Sequence, residues 1–234
     1  MQENILEINN NEFIRNIDTL KVLKYGYMDI SLHKESLNET FFTKYFNDFS
    51  NIEYPQVDKT YQEIEQLKKL QKKVISSPNF KTNMKFFRDC DKDIHKVFEK
   101  EFKVIGVRYN GDFLQNIQDE LGALVLRLKS HYSRPRPFQF AYYGKQNFHP
   151  FYTISGNSPS YPSGHACQSH FLMEVMAHRN PNKRKSLRAL AKKISDTRIA
   201  MGIHYPSDNN FGKKIAMTLM DYPEVRDRYL KRIK

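Results

Sequence analysis

Tryptophan is absent from this 234-residue chain, cysteine occurs twice, and the longest apolar run is Leu121–Leu126. The last shortage is the most restrictive. A helix crossing a bilayer needs about 20 consecutive apolar residues, and a mean hydropathy of −0.70 goes with a chain that has no such run. The opening segment, MQENILEINNNEFIRNIDTL, has neither a basic region nor an apolar stretch, so no secretory signal is expected. Cys90 and Cys167 make no disulfide framework and have no zinc-ligand spacing, and they read as buried or incidental thiols in a reducing compartment. These shortages together lead to the expectation of a soluble, cytoplasmic protein.

What the chain does have is enough apolar material for a core: 39% apolar residues, with 17 Phe and 14 Tyr. Its length suits one domain. Residues 1–55 carry weak periodicity and no motif and are read as a helical and loop arm; residues 56–234 hold every motif described below. The net charge of +12 is uneven, because residues 179–234 contain 15 Lys/Arg against 5 Asp/Glu. Within Arg179–Lys193 there is no acid at all. That stretch is either a solvated helix face or an attractor of anions, whether a phosphorylated substrate, nucleic acid or an acidic membrane surface.

Apolar periodicity is helical throughout. Ile64, Leu67 and Leu70 share a face within Lys59–Ile75, and helical character resumes from Asp91. Leu114, Ile117, Leu121, Leu124, Val125 and Leu128 form a stripe that must stop at the prolines of HYSRPRPF. Leu187, Leu190, Ala191 and Ile194 mark another helix, and Pro206-Ser207-Asp208 is suited to start the next. Nothing alternates as strands do, so an all-α single domain is expected.

Three groups of polar residues stand at the ends of these helices. Lys129 directly follows apolar Leu128, and two Arg-Pro pairs, Arg134-Pro135 and Arg136-Pro137, come after it. The prolines limit backbone freedom, which suits an anion clamp as well as it suits a stiff surface loop. Ser163-Gly164-His165 lies where a loop meets a helix. Ser163 can simply cap that helix, or the free amides beside Gly164 can hold a phosphate with His165 facing it. Arg198 falls on an apolar helix face, where a guanidinium needs an anionic partner. Past Gly202, His204 and Asp208 flank Pro206, a spacing in which the carboxylate can fix the imidazole tautomer. No further Asp/His cluster completes a metal site, and none is expected.

Lys-x6-Arg-Pro, Pro-Ser-Gly-His and Arg-x5-His-x3-Asp, in this order between Lys129 and Asp208, resemble the three-part signature of the type 2 phosphatidic acid phosphatase superfamily. That superfamily includes class A acid phosphatases, lipid phosphatases and vanadium haloperoxidases. MGIHYPSD and the segment YPQVDKTYQEIEQLKKLQ are most similar to the soluble class A branch; Thr197 departs from its usual serine.

The resemblance implies a helical bundle and a phosphatase that needs no metal or other cofactor. Lys129, Arg136, Ser163, Gly164 and Arg198 would bind phosphate, His204 would be the nucleophile oriented by Asp208, and His165 the acid and base. Vanadate would inhibit. The first expectation is a phosphorylated small molecule as substrate, a phosphomonoester or a pyrophosphate. Three alternatives stay open: a lipid or isoprenoid-pyrophosphate phosphatase working peripherally at membranes, a haloperoxidase holding vanadate as cofactor, and a non-catalytic nucleic-acid-binding or structural protein using the basic C-terminal region. Self-association is also left open.

Overall fold

The computed structural model describes residues 17–231, and among these there is no strand. Eleven helices are labelled here in chain order: α1 (Ile30–Ser36), α2 (Phe46–Ser50), α3 (Val57–Ile75), α4 (Phe80–Lys92), α5 (Ile94–Ile105), α6 (Gly111–Tyr132), α7 (Pro137–Tyr143), α8 (Gly164–Arg179), α9 (Arg184–Ala200), α10 (Pro206–Asp221) and α11 (Pro223–Tyr229). The all-α expectation holds.

Helix α6 forms because Asn110 caps it, its side chain accepting from Phe113 N at 3.2 Å, and because its apolar stripe repeats at helical spacing. Leu114, Ile117, Leu121, Leu124, Val125 and Leu128 are all buried, as that spacing predicts. The helix ends at Ser133, whose backbone is left-handed at φ 49 just before Arg134-Pro135. Prolines stop α6, but Pro137 then opens α7 from its first position, a second helix that the periodicity does not show. Similarly, the helical character around Asp91 is two helices, because Asp93 ends α4 and caps α5 through Lys96 N at 3.1 Å.

Helix α8 is central, with α6, α9 and α10 packed around it. It is buried on nearly every side, with Ala166, Cys167, Phe171, Leu172, Met173 and Val175 fully enclosed. The approach of α10 to the start of α8 depends on Gly212, where an added Cβ would lie 2.5 Å from Ser163 O. Phe42, Tyr45 and Phe49, from the segment read as an arm, lie in the same main core. Residues 1–16 of that arm are outside the described residues. A smaller core of Ile64, Leu67, Phe140, Phe148 and Tyr205 joins α3 to the loop before α10.

The acid-free stretch Arg179–Lys193 finds its counter-charges on other helices or further along its own. Arg184 and Arg188 reach Glu174 at 3.1 and 2.6 Å, Lys193 reaches Glu101 at 3.5 Å, and Lys192 pairs with Asp196. Both cysteines are free and buried, and burial pushes each thiol up to about 12.

Candidate active site

All eight residues singled out by the motifs converge at one end of the bundle. Lys129 comes from the last turn of α6, Arg136 caps α7, Ser163 to His165 open α8, Arg198 ends α9, and His204 and Asp208 bracket the start of α10. Lys129, Arg136, Ser163, Arg198, His204 and Asp208 are buried, whereas Gly164 and His165 are partly open. Gly202 makes the turn from α9 to His204 with φ 76. A Cβ there would strike Phe148 and Gln71 at 2.7 and 2.8 Å, so only glycine fits.

The hydrogen bonds of His204 define its tautomer. Arg136 Nη1 lies 2.9 Å from Nε2, and since a guanidinium can only donate, Nε2 is the accepting nitrogen. Nδ1 therefore carries the proton and donates to Asp208 Oδ2 at 3.1 Å. Burial, reinforced by Arg136, Lys129, Arg198 and His165, pulls the imidazole well below its usual value, so it is neutral. Asp208 also accepts from Tyr205 N at 2.9 Å and, through Oδ1, from Arg134 Nη1 at 2.7 Å. Burial pushes this carboxyl up to about 6 against the pull of Arg134, which leaves it ionised at neutral pH.

Arg134 is the residue whose role the sequence concealed. Besides Asp208 it holds Glu63 Oε2 at 3.0 Å, Thr60 Oγ1 at 3.2 Å and Ser207 Oγ at 2.7 Å, and its guanidinium lies 3.9 Å from the Tyr205 ring centroid. Glu63 in turn accepts from Ser207 N at 2.7 Å. A buried chain Glu63–Arg134–Asp208–His204 thus ties α3 to the start of α10.

On the far side, Arg198 Nη2 donates to Asp91 Oδ1 at 3.0 Å and also to Ser155 Oγ, while its buried Nε has no partner among the described residues. Asp91 gathers Thr153 Oγ1 at 2.9 Å and Ile154 N at 2.7 Å, so it organises the loop before α8. Glu63 and Asp91 carry no motif, and only their distant partners, Arg134 and Arg198, reveal them.

The charges do not balance. Arg134 meets two carboxylates and Arg198 one, but Lys129 and Arg136 meet none. Lys129 Nζ donates to Pro159 O, and Arg136 donates to Ser158 O at 2.7 Å, Ile203 O at 2.7 Å and Ser158 Oγ at 3.3 Å. Burial and the neighbouring Arg136 hold Lys129 well below the ordinary lysine value, and burial brings Arg136 down to about 10. Two buried cations with no carboxylate bonded to them, beside an Arg198 Nε without a partner among the described residues, make a site suited to an anion.

Ser163 caps α8, its hydroxyl accepting from Ala166 N at 3.4 Å. Ser163 N is committed to Asp208 O at 3.1 Å, while the amides of Gly164 and His165 have no intrahelical acceptor. His165 Nε2 donates to Cys90 O at 3.2 Å, which leaves Nδ1 as the free nitrogen. Burial and Arg198 pull its value down to about 3. A cleft of about 410 Å³ opens beside His165 and Lys129, with Leu32, Val125, Leu126 and Ile154 on its walls. No group of three or more His, Cys, Asp or Glu residues placed to hold a metal occurs among the described residues.

The family model of the PAP2 superfamily matches residues 119–220, the segment that supplies all eight motif residues. Over this segment the chain is similar to the PAP2 superfamily. Two lipid A 1-phosphatases are among its relatives. One from Rhizobium johnstonii is 38% identical over 37% of this chain and 35% of its own length; one from Rhizobium etli is 32% identical over 48% of each. The chain thus matches half or less of these curated relatives. The fold is similar to that of a transmembrane PAP2 type phosphatidylglycerolphosphate phosphatase from Bacillus subtilis, with TM-score 0.53 and 16% identity over 82% of this chain and 96% of that one.

These PAP2 relatives correct one expectation. A soluble, cytoplasmic acid phosphatase does not fit sequence relatives named as lipid A phosphatases, which point to membrane association instead. No described helix is itself long and apolar enough to cross a membrane.

Proposed function

We propose that this chain is a phosphatase that removes the phosphate of a phosphorylated lipid through a phosphohistidine at His204. The observation that carries the chemistry is the pair of buried cations, Lys129 and Arg136, lacking any carboxylate beside a neutral, Asp208-anchored imidazole. The lipid alternative replaces the soluble phosphomonoester of the first expectation because of the relatives' names and the apolar walls of the cleft.

Arg136 has two tasks in this reading. Its N–H occupies the lone pair of His204 Nε2. An arriving phosphate draws the guanidinium onto its oxygens and frees Nε2 to attack phosphorus in line. Lys129, Arg136, Arg198 and the Gly164 and His165 amides then share the equatorial charge. Asp208 stabilises the imidazolium that forms when the P–N bond is made and the P–O bond breaks.

His165 supplies the proton to the departing lipid oxygen. Its low value rises when a phosphate dianion lies beside it, so the substrate itself loads the acid. The neutral His165 left behind takes a proton from the water that attacks the phosphohistidine, releasing phosphate. Phosphate release from phosphatidic acid in mixed micelles, compared between wild type and His204→Ala, tests this. Equal rates in both proteins would overturn it.

A further inference from the structure

Several large apolar side chains on the surface belong to the segments that line the cleft. Tyr27, Ile30, Tyr152 and Ile154 are exposed, at 102%, 74%, 82% and 49%. They come from two segments far apart in sequence that are bonded together: Tyr25 OH donates to Gly156 O at 2.9 Å and Asp29 N to Asn157 O at 3.2 Å. Asp29, Ser31, Ile154 and Asn157 of these segments line the cleft beside His165 and Lys129. A third segment, α7, joins through Gln139 Nε2, which donates to Tyr25 O at 3.1 Å, and exposed Tyr143 lies one turn further along that face. The apolar surface therefore continues inward from the rim to Leu32, Val125 and Leu126 on the cleft walls.

We infer that this rim seats the protein on the interfacial layer of a lipid bilayer, so that a phosphorylated headgroup passes between Tyr27, Ile30 and Tyr152 to reach Lys129 and Arg136. The inference rests on the lipid-phosphatase reading and adds the surface through which such a substrate arrives. Three of the five rim side chains are tyrosines, whose apolar ring and polar hydroxyl suit the boundary between acyl chains and headgroups. Tyr27, Ile30 and Tyr152 serve no packing in the fold, and their exposure costs solubility unless a partner covers them. A protein seated over this rim would close the mouth, whereas a bilayer covers the rim and delivers substrate through it. The tail of a lipid substrate stays in the bilayer, so the phosphate can be buried only if the mouth itself meets the membrane.

The test uses the full chain and two readouts. Wild type and the triple variant Tyr27→Ser/Ile30→Ser/Tyr152→Ser are co-sedimented with phosphatidylcholine vesicles carrying a minority of phosphatidic acid. Both are also assayed on p-nitrophenyl phosphate in solution. Wild type is expected to pellet with the vesicles, and the variant to lose about fivefold or more of that binding and of vesicle turnover. Its p-nitrophenyl phosphate turnover should match wild type, which also shows that the variant is folded. Undiminished pelleting of the variant, or failure of wild type to pellet, overturns the inference. Sedimentation needs no catalysis, so absent hydrolysis by a protein that pellets would sink the phosphatase reading alone. Ile30→Glu, a single change at an exposed site, is expected to weaken pelleting in the same direction.

Discussion

Arg134 holds Asp208 through Oδ1 at 2.7 Å while His204 occupies Oδ2, so the carboxylate that orients His204 is itself oriented by a guanidinium. Because Arg134 also grips Glu63, removing it strands two buried carboxylates at once. Arg134→Ala should destabilise the protein by about 3–5 kcal/mol, measured by urea unfolding. Asp208→Asn keeps the shape of the site but loses the charge that stabilises the imidazolium, and should cost on the order of 10³–10⁴-fold in turnover.

Lys129 is predicted to work against stability. It is buried, it donates to a carbonyl, and no carboxylate bonds it directly. Lys129→Met should therefore leave the unfolding free energy unchanged or raise it. Turnover should fall by roughly 10²–10³-fold, the loss typical for one transition-state donor. A large drop in stability would contradict the reading of Lys129 as a cation waiting for an anion.

An anion that completes the site should also stabilise it. Phosphate or vanadate at about 100 times its dissociation constant adds about 2.7 kcal/mol to the folded state. Thermal melting with and without vanadate checks this, and the shift should vanish in Arg136→Ala. Turnover should persist in EDTA, since Lys129, Arg136 and Arg198 are assigned the charge neutralisation that a metal would otherwise supply.

Acid should act through His165. Its folded-state value lies near 3 against 6.5 for the free side chain, so below pH 6.5 the unfolded chain binds a proton that the fold refuses. Stability from this group is full above pH 6.5 and declines as pH falls toward 3. Asp208, raised to about 6, pulls the opposite way below that pH, so the histidine must be isolated by difference. The stability of His165→Gln relative to wild type should rise steadily from pH 7 to pH 4. A constant difference would mean that His165 is not held neutral.

The eight motif residues were legible in the sequence because each motif packs its groups within a few residues of a helix end, where spacing fixes their placement. The helices were legible where a one-sided stripe marks them, as in α6. Helix α8 shows its start through Ser163 but little one-sided pattern, because it is buried all round. Glu63 and Asp91 stayed hidden: they reach Arg134 and Arg198 from 71 and 107 positions away, and a lone acid on an amphipathic helix looks like a solvated one. The lack of long apolar runs suggested a soluble protein for the same kind of reason. Runs report spans, whereas Tyr27, Ile30 and Tyr152 stand singly in the sequence, in segments that only the fold bonds together.

The central claim is that phosphate passes through a covalent bond to His204 Nε2. Wild type should be mixed with radiolabelled phosphatidic acid, quenched in alkali within the first turnover, and mapped by peptide. The account predicts label on the peptide bearing His204, stable in base and lost in acid, and no label in His204→Ala. Continued phosphate release by wild type with no trapped label, or label on Ser163 or His165, would contradict it.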